Sequence, residues 1–170
     1  INAGIRWAAG TLQEYDSLGD EIWNENQADI ILLPLGMFKT CPPTLQDAIN
    51  SVTAQGVIVV TAAGNRGVPT EFFAPAGCEN LVTVAASDAR GFIVPFSNYG
   101  DAVDLLAPGG DLARDDDNDG TPDGIIATRR DNECNITLDD ASVDTCLYSA
   151  EQGSAMAAAS VAGALALLRS

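Results

Sequence analysis

An asparagine at the end of a predicted buried strand is the first candidate for chemistry. The apolar run 57–61 predicts the strand, and the small residues 62–64 (Ala-Ala-Gly) end it before Asn65. Glycine lets the backbone turn sharply, so the Asn65 carboxamide can stand at the carboxyl edge of a sheet and donate a hydrogen bond into a cleft. A strand followed by Gly-Asn is also typical of an ordinary turn, so this feature alone does not indicate a site.

A helix that begins with very small residues is the second candidate. Gly153, Ser154 and Ala155 precede an apolar stretch rich in alanine. Small residues permit close backbone packing, and the first N–H groups of a helix lie at the positive end of its dipole, where they can stabilise an oxyanion. The alternative is a packing helix without any chemical role.

An acidic insert at 111–124 is the third candidate. Asp115, Asp117 and Asp119 are spaced as Asp-x-Asp-x-Asp-Gly, the first half of a calcium loop, and Asp123 falls at its ninth position. The twelfth position lacks the bidentate glutamate of an EF-hand. We predict a structural calcium ion bound by Asp115, Asp117, Asp119 and Asp123, the alternative being a solvated acidic loop.

Five motifs in chain order resemble those of the subtilisin-like serine proteases, the subtilases. They are the strand ending in Leu-Gly at 28–36, Ala-Ala-Gly-Asn at 62–65, the strand at 80–86, Phe-Ser-Asn-Tyr-Gly at 96–100 with Ala-Pro-Gly at 107–109, and Gly-Ser-Ala-Met-Ala at 153–157. The resemblance covers most of the chain. It implies an α/β domain that, in complete form, hydrolyses peptide bonds through a Ser-His-Asp triad and an acyl-enzyme.

The resemblance also implies roles for individual residues. Asn65 would be the oxyanion-hole donor, and Ala155 occupies the position of the nucleophilic serine. Phe73 lies near the floor of the family's main specificity pocket, and Pro75 takes the place of a proline that is often cis. Four residues would line the substrate cleft, where an extended peptide adds as a strand: Leu35, Gly36, Ala63 and Gly64. The triad Asp and His would come from an N-terminal part of the same domain, and the cleft would hold a substrate, a propeptide or an inhibitor.

Two departures from the family pattern bear on activity. Ala155 presents a methyl group where a hydroxyl should attack, and the chain contains no histidine to act as general base. Ser154 lies one residue too early, so its side chain should point elsewhere on the helix. We therefore expect the chain to be catalytically inactive as written.

Two explanations of Ala155 stay open at this point. A deliberate Ser→Ala change would leave the surrounding site protease-like, and the presence of Asn65 favours this explanation. A natural pseudoprotease would instead bind peptides or a partner protein without cutting them. A third hypothesis is a calcium-stabilised domain with a purely structural role.

The elements that must position these residues alternate between helices and strands. Helices are predicted at 1–9, 44–55 and 156–169, and strands at 28–33, 57–61, 81–85, 103–106 and 125–127. Short apolar runs suit buried parallel strands, and right-handed crossovers between them give a doubly wound sheet. We predict one partial α/β domain over 1–170, a three-layer open parallel sheet with helices on both faces. The start inside a helix suggests a fragment or a processed product. The polar stretch 10–27 is predicted to be an insertion.

The cysteines and the charge indicate where such a domain works. Cys41, Cys78, Cys134 and Cys146 lack zinc spacing, and together with the sequon at 135–137 they fit an oxidising, extracytoplasmic location. The favoured disulfides are Cys41–Cys78 and Cys134–Cys146, although three connectivities and free thiols are alternatives. The net charge of −16 makes nucleic acid and anionic lipid poor partners, and no apolar run is long enough to span a membrane.

Overall fold

The structure, a computed structural model, describes residues 1–15, 17–128 and 148–170. In chain order its elements are α1 (Asn2–Ala8), β1 (Glu14–Tyr15), β2 (Glu21–Ile22), β3 (Ile30–Leu33), β4 (Met37–Phe38), α2 (Pro43–Thr53), β5 (Ile58–Ala62), a 3₁₀ turn (Thr70–Phe72), β6 (Phe73–Ala74), β7 (Val82–Ser87), β8 (Leu105–Pro108), β9 (Ile125–Thr128), β10 (Tyr148–Glu151) and α3 (Ser154–Arg169).

A four-stranded parallel sheet in the order β3-β5-β7-β8 forms the centre of the fold. Its strands are short apolar runs with many β-branched residues, which suit a sheet that is covered on both faces. Leu33 pairs with Thr61, and Ala62 pairs with Val84, so the carboxyl ends of the first three strands meet at one edge. Segments that follow these strands therefore come close together in space.

Helices cover both faces of this sheet. Helix α2 begins with a proline at its first turn and buries one apolar stripe: Leu45, Ala48, Ile49 and Val52. With α1 it covers one face over a core that includes Ile5, Leu33 and Val59. On the other face α3 packs its fully buried Ala157 and Ala158 against a second core that includes Val60 and Val84. The predicted three-layer α/β architecture is confirmed.

The predicted strand at 125–127 is confirmed as β9, which lies outside the central sheet. Among the described strands β8 is the last of the central sheet, and β9 pairs antiparallel with β10. Half of its residues are exposed, as antiparallel strands commonly have one face open to solvent. A short apolar run does not by itself tell a sheet strand from a hairpin strand.

The described cysteines form the predicted disulfide. Cys41 and Cys78 are bonded, with their Cα atoms 5.1 Å apart, and the Ala74–Pro75 peptide bond is cis. Cys134, Cys146 and the sequon at 135–137 lie outside the described residues. Among the helices that the structure describes, none has the length and apolar character to cross a bilayer.

Truncating the core under α2 tests the packing. Ile49 is fully buried, so Ile49→Ala should lower the free energy of unfolding by about 2–5 kcal/mol through lost burial and a residual cavity. Chemical denaturation measures the change. Asp47→Ala, on the exposed face of the same helix, should change it by less than about 0.5 kcal/mol. Equal losses in the two variants would contradict this packing.

Candidate active site

A cleft of about 270 Å³ lies at the carboxyl edge of the sheet. It contains five of the residues that the sequence predicted for a site: Leu35, Gly36, Gly64, Asn65 and Ala155. They come from the segments after β3 and β5 and from the start of α3, which the parallel sheet brings to one edge. Residues distant in sequence therefore form one concave surface.

Ala63 does not line this cleft, contrary to the prediction. It is fully buried, its N–H donates to the Val84 carbonyl (2.8 Å), and its own carbonyl accepts from Asn98 Nδ2 (2.8 Å). Ala62 lines the cleft instead. Successive residues of an extended chain point to opposite sides, so Ala62 and Gly64 can face the cleft together while Ala63 faces away.

The Asn65 carboxamide is held by the first residue of α3. Its Oδ1 accepts hydrogen bonds from the Ser154 backbone N–H (2.9 Å) and from the Ser154 hydroxyl (2.8 Å). A backbone N–H can only donate, so the oxygen must face Ser154 and the Nδ2 group must face the other way. Within the described chain Nδ2 has no hydrogen-bond partner, which leaves an oriented donor on an exposed residue of the cleft.

Ser154 thus lies in the site, contrary to the expectation that its side chain points elsewhere. The hydroxyl donates to Asn65 and accepts from the Gly64 N–H (2.9 Å), and the residue is 1% exposed. Helical spacing alone did not reveal this, because the first residue of a helix can cap a neighbouring segment rather than follow the helix face. Ser154 and Ala155 both line the cleft.

Glycines in and beside the cleft allow side chains to approach the backbone closely. A Cβ atom at Gly153 would lie 3.0 Å from Asn65 Nδ2, so a larger residue there would crowd the carboxamide. The Phe73 ring fits between two other glycines: a Cβ atom would lie 2.2 Å from it at Gly36 and 2.6 Å from it at Gly64. Phe73 is 7% exposed and lines the cleft. The ring therefore fills space between the two cleft walls.

Asn98 supports the loop that carries Asn65, a role that the sequence analysis missed. It is completely buried, and its Oδ1 accepts from the N–H groups of Arg66 (2.9 Å) and Val68 (3.2 Å). Its own N–H donates to the Gly64 carbonyl (2.8 Å), and its Nδ2 binds the Ala63 carbonyl. The only available signal was the Asn within Phe-Ser-Asn-Tyr-Gly, which carries no spacing relation to the strand that it supports.

The acidic insert brings together three of its four predicted ligands. Carboxylate oxygens of Asp115, Asp117 and Asp119 lie within 4.8 Å of one another. Asp123 does not belong to this group, because its Oδ2 accepts from the Asp116 N–H (2.7 Å) and its backbone pairs with Asp111. The ninth position of the motif serves to close the loop rather than to join the group.

Ion pairs attach the insert to the end of β7. Arg114 pairs with Asp116 (2.5 Å), and Arg90 contacts both Asp116 (3.3 Å) and Asp88 (2.6 Å). The hydrogen bond from the Arg114 side chain lowers the pKa of Asp116, and that from Arg90 lowers the pKa of Asp88, in each case against the opposing effect of burial. Thr121 lowers the pKa of Asp119 by hydrogen bonding to its carboxylate.

Two hydrogen bonds join the segment after β8 to the residues just before α3. The Leu112 N–H donates to Gln152 Oε1 (2.6 Å), and the Gly153 N–H donates to the Gly109 carbonyl (2.8 Å). Gly109 directly follows β8, so this hydrogen bond ties the residue before Ser154 to the end of a sheet strand. The helix start is therefore anchored to the sheet on two sides.

A match across the full length of the chain assigns the family. Residues 1–170 match the sequence model of the subtilase family. The chain belongs to the subtilase family. Three of the five motifs, at 28–36, 62–65 and 153–157, contribute residues to the cleft, and the predicted resemblance to the family is confirmed.

Subtilases of known sequence and structure resemble this one over most of its length. It is 31% identical over 168 residues to the "Extracellular basic protease" of Dichelobacter nodosus, covering 99% of this chain and 24% of the relative. It is 34% identical over 147 residues to the "Extracellular protease" of Xanthomonas campestris pv. campestris, covering 86% and 22%. A solved protease from Pseudoalteromonas arctica matches with a TM-score of 0.74 and 33% identity, over 95% of this chain and 43% of the other. The chain thus spans about a quarter of the length of these curated relatives.

Removing the Asn98 amide tests its support of this subtilase loop. Asn98→Ala leaves the Ala63 carbonyl and the Arg66 and Val68 N–H groups without their partner, so the free energy of unfolding should fall by at least about 2 kcal/mol. Amide hydrogen exchange at Arg66 and Val68 should accelerate. The control is Asn50→Ala, an exposed asparagine in side-chain contacts only at its Oδ1, which should leave both exchange rates unchanged. Unchanged amide exchange at Arg66 and Val68 in Asn98→Ala would show that the loop is stable without the Asn98 side chain.

Proposed function

We propose that this chain forms the oxyanion side of the active site of a serine endopeptidase that cleaves extended peptides. The observation that carries this proposal is the Asn65 carboxamide, oriented by Ser154 and placed in one cleft with Ala155. A subtilase needs an amide donor beside its nucleophile position, and this geometry supplies one. The family assignment supports the same chemistry.

Two donors would stabilise the oxyanion of the tetrahedral intermediate. One is Asn65 Nδ2, and the other is the N–H of Ala155 in the first turn of α3, which has no partner in the described chain. Both residues line the cleft. Donors that are fixed before substrate binds need no reorganisation when charge develops on the carbonyl oxygen.

An extended peptide would bind along the exposed residues after β3. Pro34, Leu35 and Gly36 are exposed, and within the described chain their backbone groups form no hydrogen bonds. Such a segment can add a peptide as a further strand, with its backbone giving affinity and the cleft accepting a side chain. A substrate, a propeptide or a protein inhibitor would present this same extended form.

The proposal requires an N-terminal part of the same domain to supply the triad Asp and His. Two features support such a partner. Strand β3 pairs only with β5 in the described sheet, so its outer edge is open to a further strand. On α3, Leu167 and Leu168 are 80% and 84% exposed, an unusual state for two adjacent apolar side chains.

Ala155 makes the chain inactive as written in this proposal. The methyl group supports two candidates: a protease whose serine has been replaced, and a pseudoprotease that binds peptides in the same cleft without cutting them. The fixed Asn65 donor favours the protease, because peptide binding alone does not need a donor aimed beside the nucleophile position.

Calcium binding and secretion complete the proposal. The carboxylates of Asp115, Asp117 and Asp119 are exposed or half-buried oxygen donors close to one another, the ligand type that calcium prefers. The ion would stabilise the insert and take no part in the chemistry. A secreted or otherwise extracytoplasmic location is supported by the Cys41–Cys78 disulfide and by relatives that are named extracellular proteases.

Restoring the nucleophile tests the function. In the full-length protein with its N-terminal part, Ala155→Ser should give labelling by a fluorophosphonate and hydrolysis of a peptide ester. Adding Asn65→Leu should lower kcat by about 10²–10³-fold with little change in KM, because the lost donor acts in the transition state. A folded full-length Ala155→Ser protein that neither labels nor hydrolyses would favour the pseudoprotease.

A calcium titration of the full-length protein tests the insert. Micromolar to millimolar calcium should raise Tm, and isothermal titration should show a site that Asp117→Asn weakens by at least about tenfold, because one of a few charged ligands is lost. Asp47→Asn, an exposed aspartate on α2, is the matched control and should bind as before. Equal calcium affinity in Asp117→Asn and the parent protein would contradict this site.

A further inference from the structure

The cleft contains one charged side chain. Of the described residues that line it, Arg66 alone carries a charge, and the others are apolar or neutral. The protein as a whole has 24 acidic residues against 8 basic ones. The charge that Arg66 places beside the predicted oxyanion donor is therefore opposite in sign to the net charge of the protein.

Arg66 is held by its backbone and free at its side chain. Its N–H donates to Asn98 Oδ1 (2.9 Å), which fixes its position next to Asn65, and the residue is exposed. The side chain makes no ion pair or hydrogen bond in the described chain. By contrast, Arg90, Arg114 and Arg169 each pair with an aspartate. Arg66 is thus available to a charged group that enters the cleft.

The rest of the cleft is uncharged and small. The buried Phe73 ring occupies the space between Gly36 and Gly64, and the whole cleft measures about 270 Å³. This is slightly below the range of about 300–1,000 Å³ that is typical of pockets for small organic ligands. The cleft therefore suits a single side chain of moderate size, with an apolar stem against Phe73 and a polar end towards Arg66.

We propose that Arg66 selects substrates with an acidic side chain, glutamate above all, at the residue whose carbonyl binds Asn65. This inference rests on the peptidase function proposed above. A glutamate can lay its methylene groups on the Phe73 ring and bring its carboxylate to the planar Arg66 guanidinium, which suits bidentate pairing with carboxylates. A lysine in the same place meets a like charge, so the cleft both favours acidic residues and disfavours basic ones.

The net charge of the protein does not cancel this preference. Repulsion of an acidic peptide by the distant carboxylates is largely screened beyond a Debye length, about 8 Å at physiological salt. A carboxylate in the cleft would contact Arg66 directly, within that length. Comparing Glu with Gln at one position, in variants that change one charge, separates the local pair from the overall field.

A peptide series in the full-length protein tests the inference. Four peptides identical except for Glu, Gln, Leu or Lys on the N-terminal side of the scissile bond are hydrolysed by the Ala155→Ser protein. The kcat/KM ratio of Glu to Gln should be about 2–10, as for an exposed charge pair, and it should fall to about one in Arg66→Gln. Arg66→Glu should reverse the preference, so that Lys exceeds Glu.

Controls separate this inference from the proposed function. Arg169→Gln removes the same charge at the far end of α3 and should keep the Glu preference. A Glu-to-Gln ratio of one in the Ala155→Ser protein, or a ratio unchanged by Arg66→Gln, overturns the inference while hydrolysis upholds the function.

If no peptide is cut, the peptidase function fails and binding decides the role of Arg66. Fluorescence anisotropy with the same peptides is then measured on the parent protein that carries Ala155. Tighter binding of the Glu than of the Gln peptide, lost in Arg66→Gln, supports an acidic-peptide site, and equal affinities overturn it.

Discussion

The hydrogen bonds between Ser154 and Asn65 are the contact on which the candidate site depends. They join segments 89 residues apart, one at the end of β5 and the other at the start of α3. Without them the carboxamide could rotate, and neither its orientation nor its place beside Ala155 would be defined. The parallel sheet makes the contact possible, because it brings the carboxyl end of β5 to the same edge as the start of α3.

A second layer of contacts keeps that loop in place. Asn98 binds the backbone on both sides of Asn65, and glycines at 64 and 153 leave room for the side chains that cross the rim. A buried amide whose oxygen and nitrogen are both hydrogen-bonded favours one arrangement of the surrounding backbone. The position of Asn65 is thus determined by residues that themselves need not touch a substrate.

The sequence predicted the layers of the fold and most of the cleft, because strand–helix alternation and motif order do not depend on side-chain detail. The predictions failed where the direction of a side chain depends on the local backbone conformation of one residue. Ala63 faces inward while Ala62 and Gly64 face the cleft, Ser154 caps a neighbouring loop, and Asp123 closes the insert instead of joining the other carboxylates. Spacing along a chain does not specify these directions. The role of Asn98 was equally out of reach, because it lies 33 residues beyond the loop that it supports.

The bond from Gly153 to Gly109 has a consequence for how a ligand would be received. It fastens the start of α3 to the segment after β8, while Ser154 fastens it to the loop after β5. The start of α3 therefore links the segments that follow two strands of the sheet. These residues lose their conformational entropy when the chain folds. Binding a ligand therefore costs the protein little further conformational entropy. Most of the conformational entropy lost on binding would then come from the peptide.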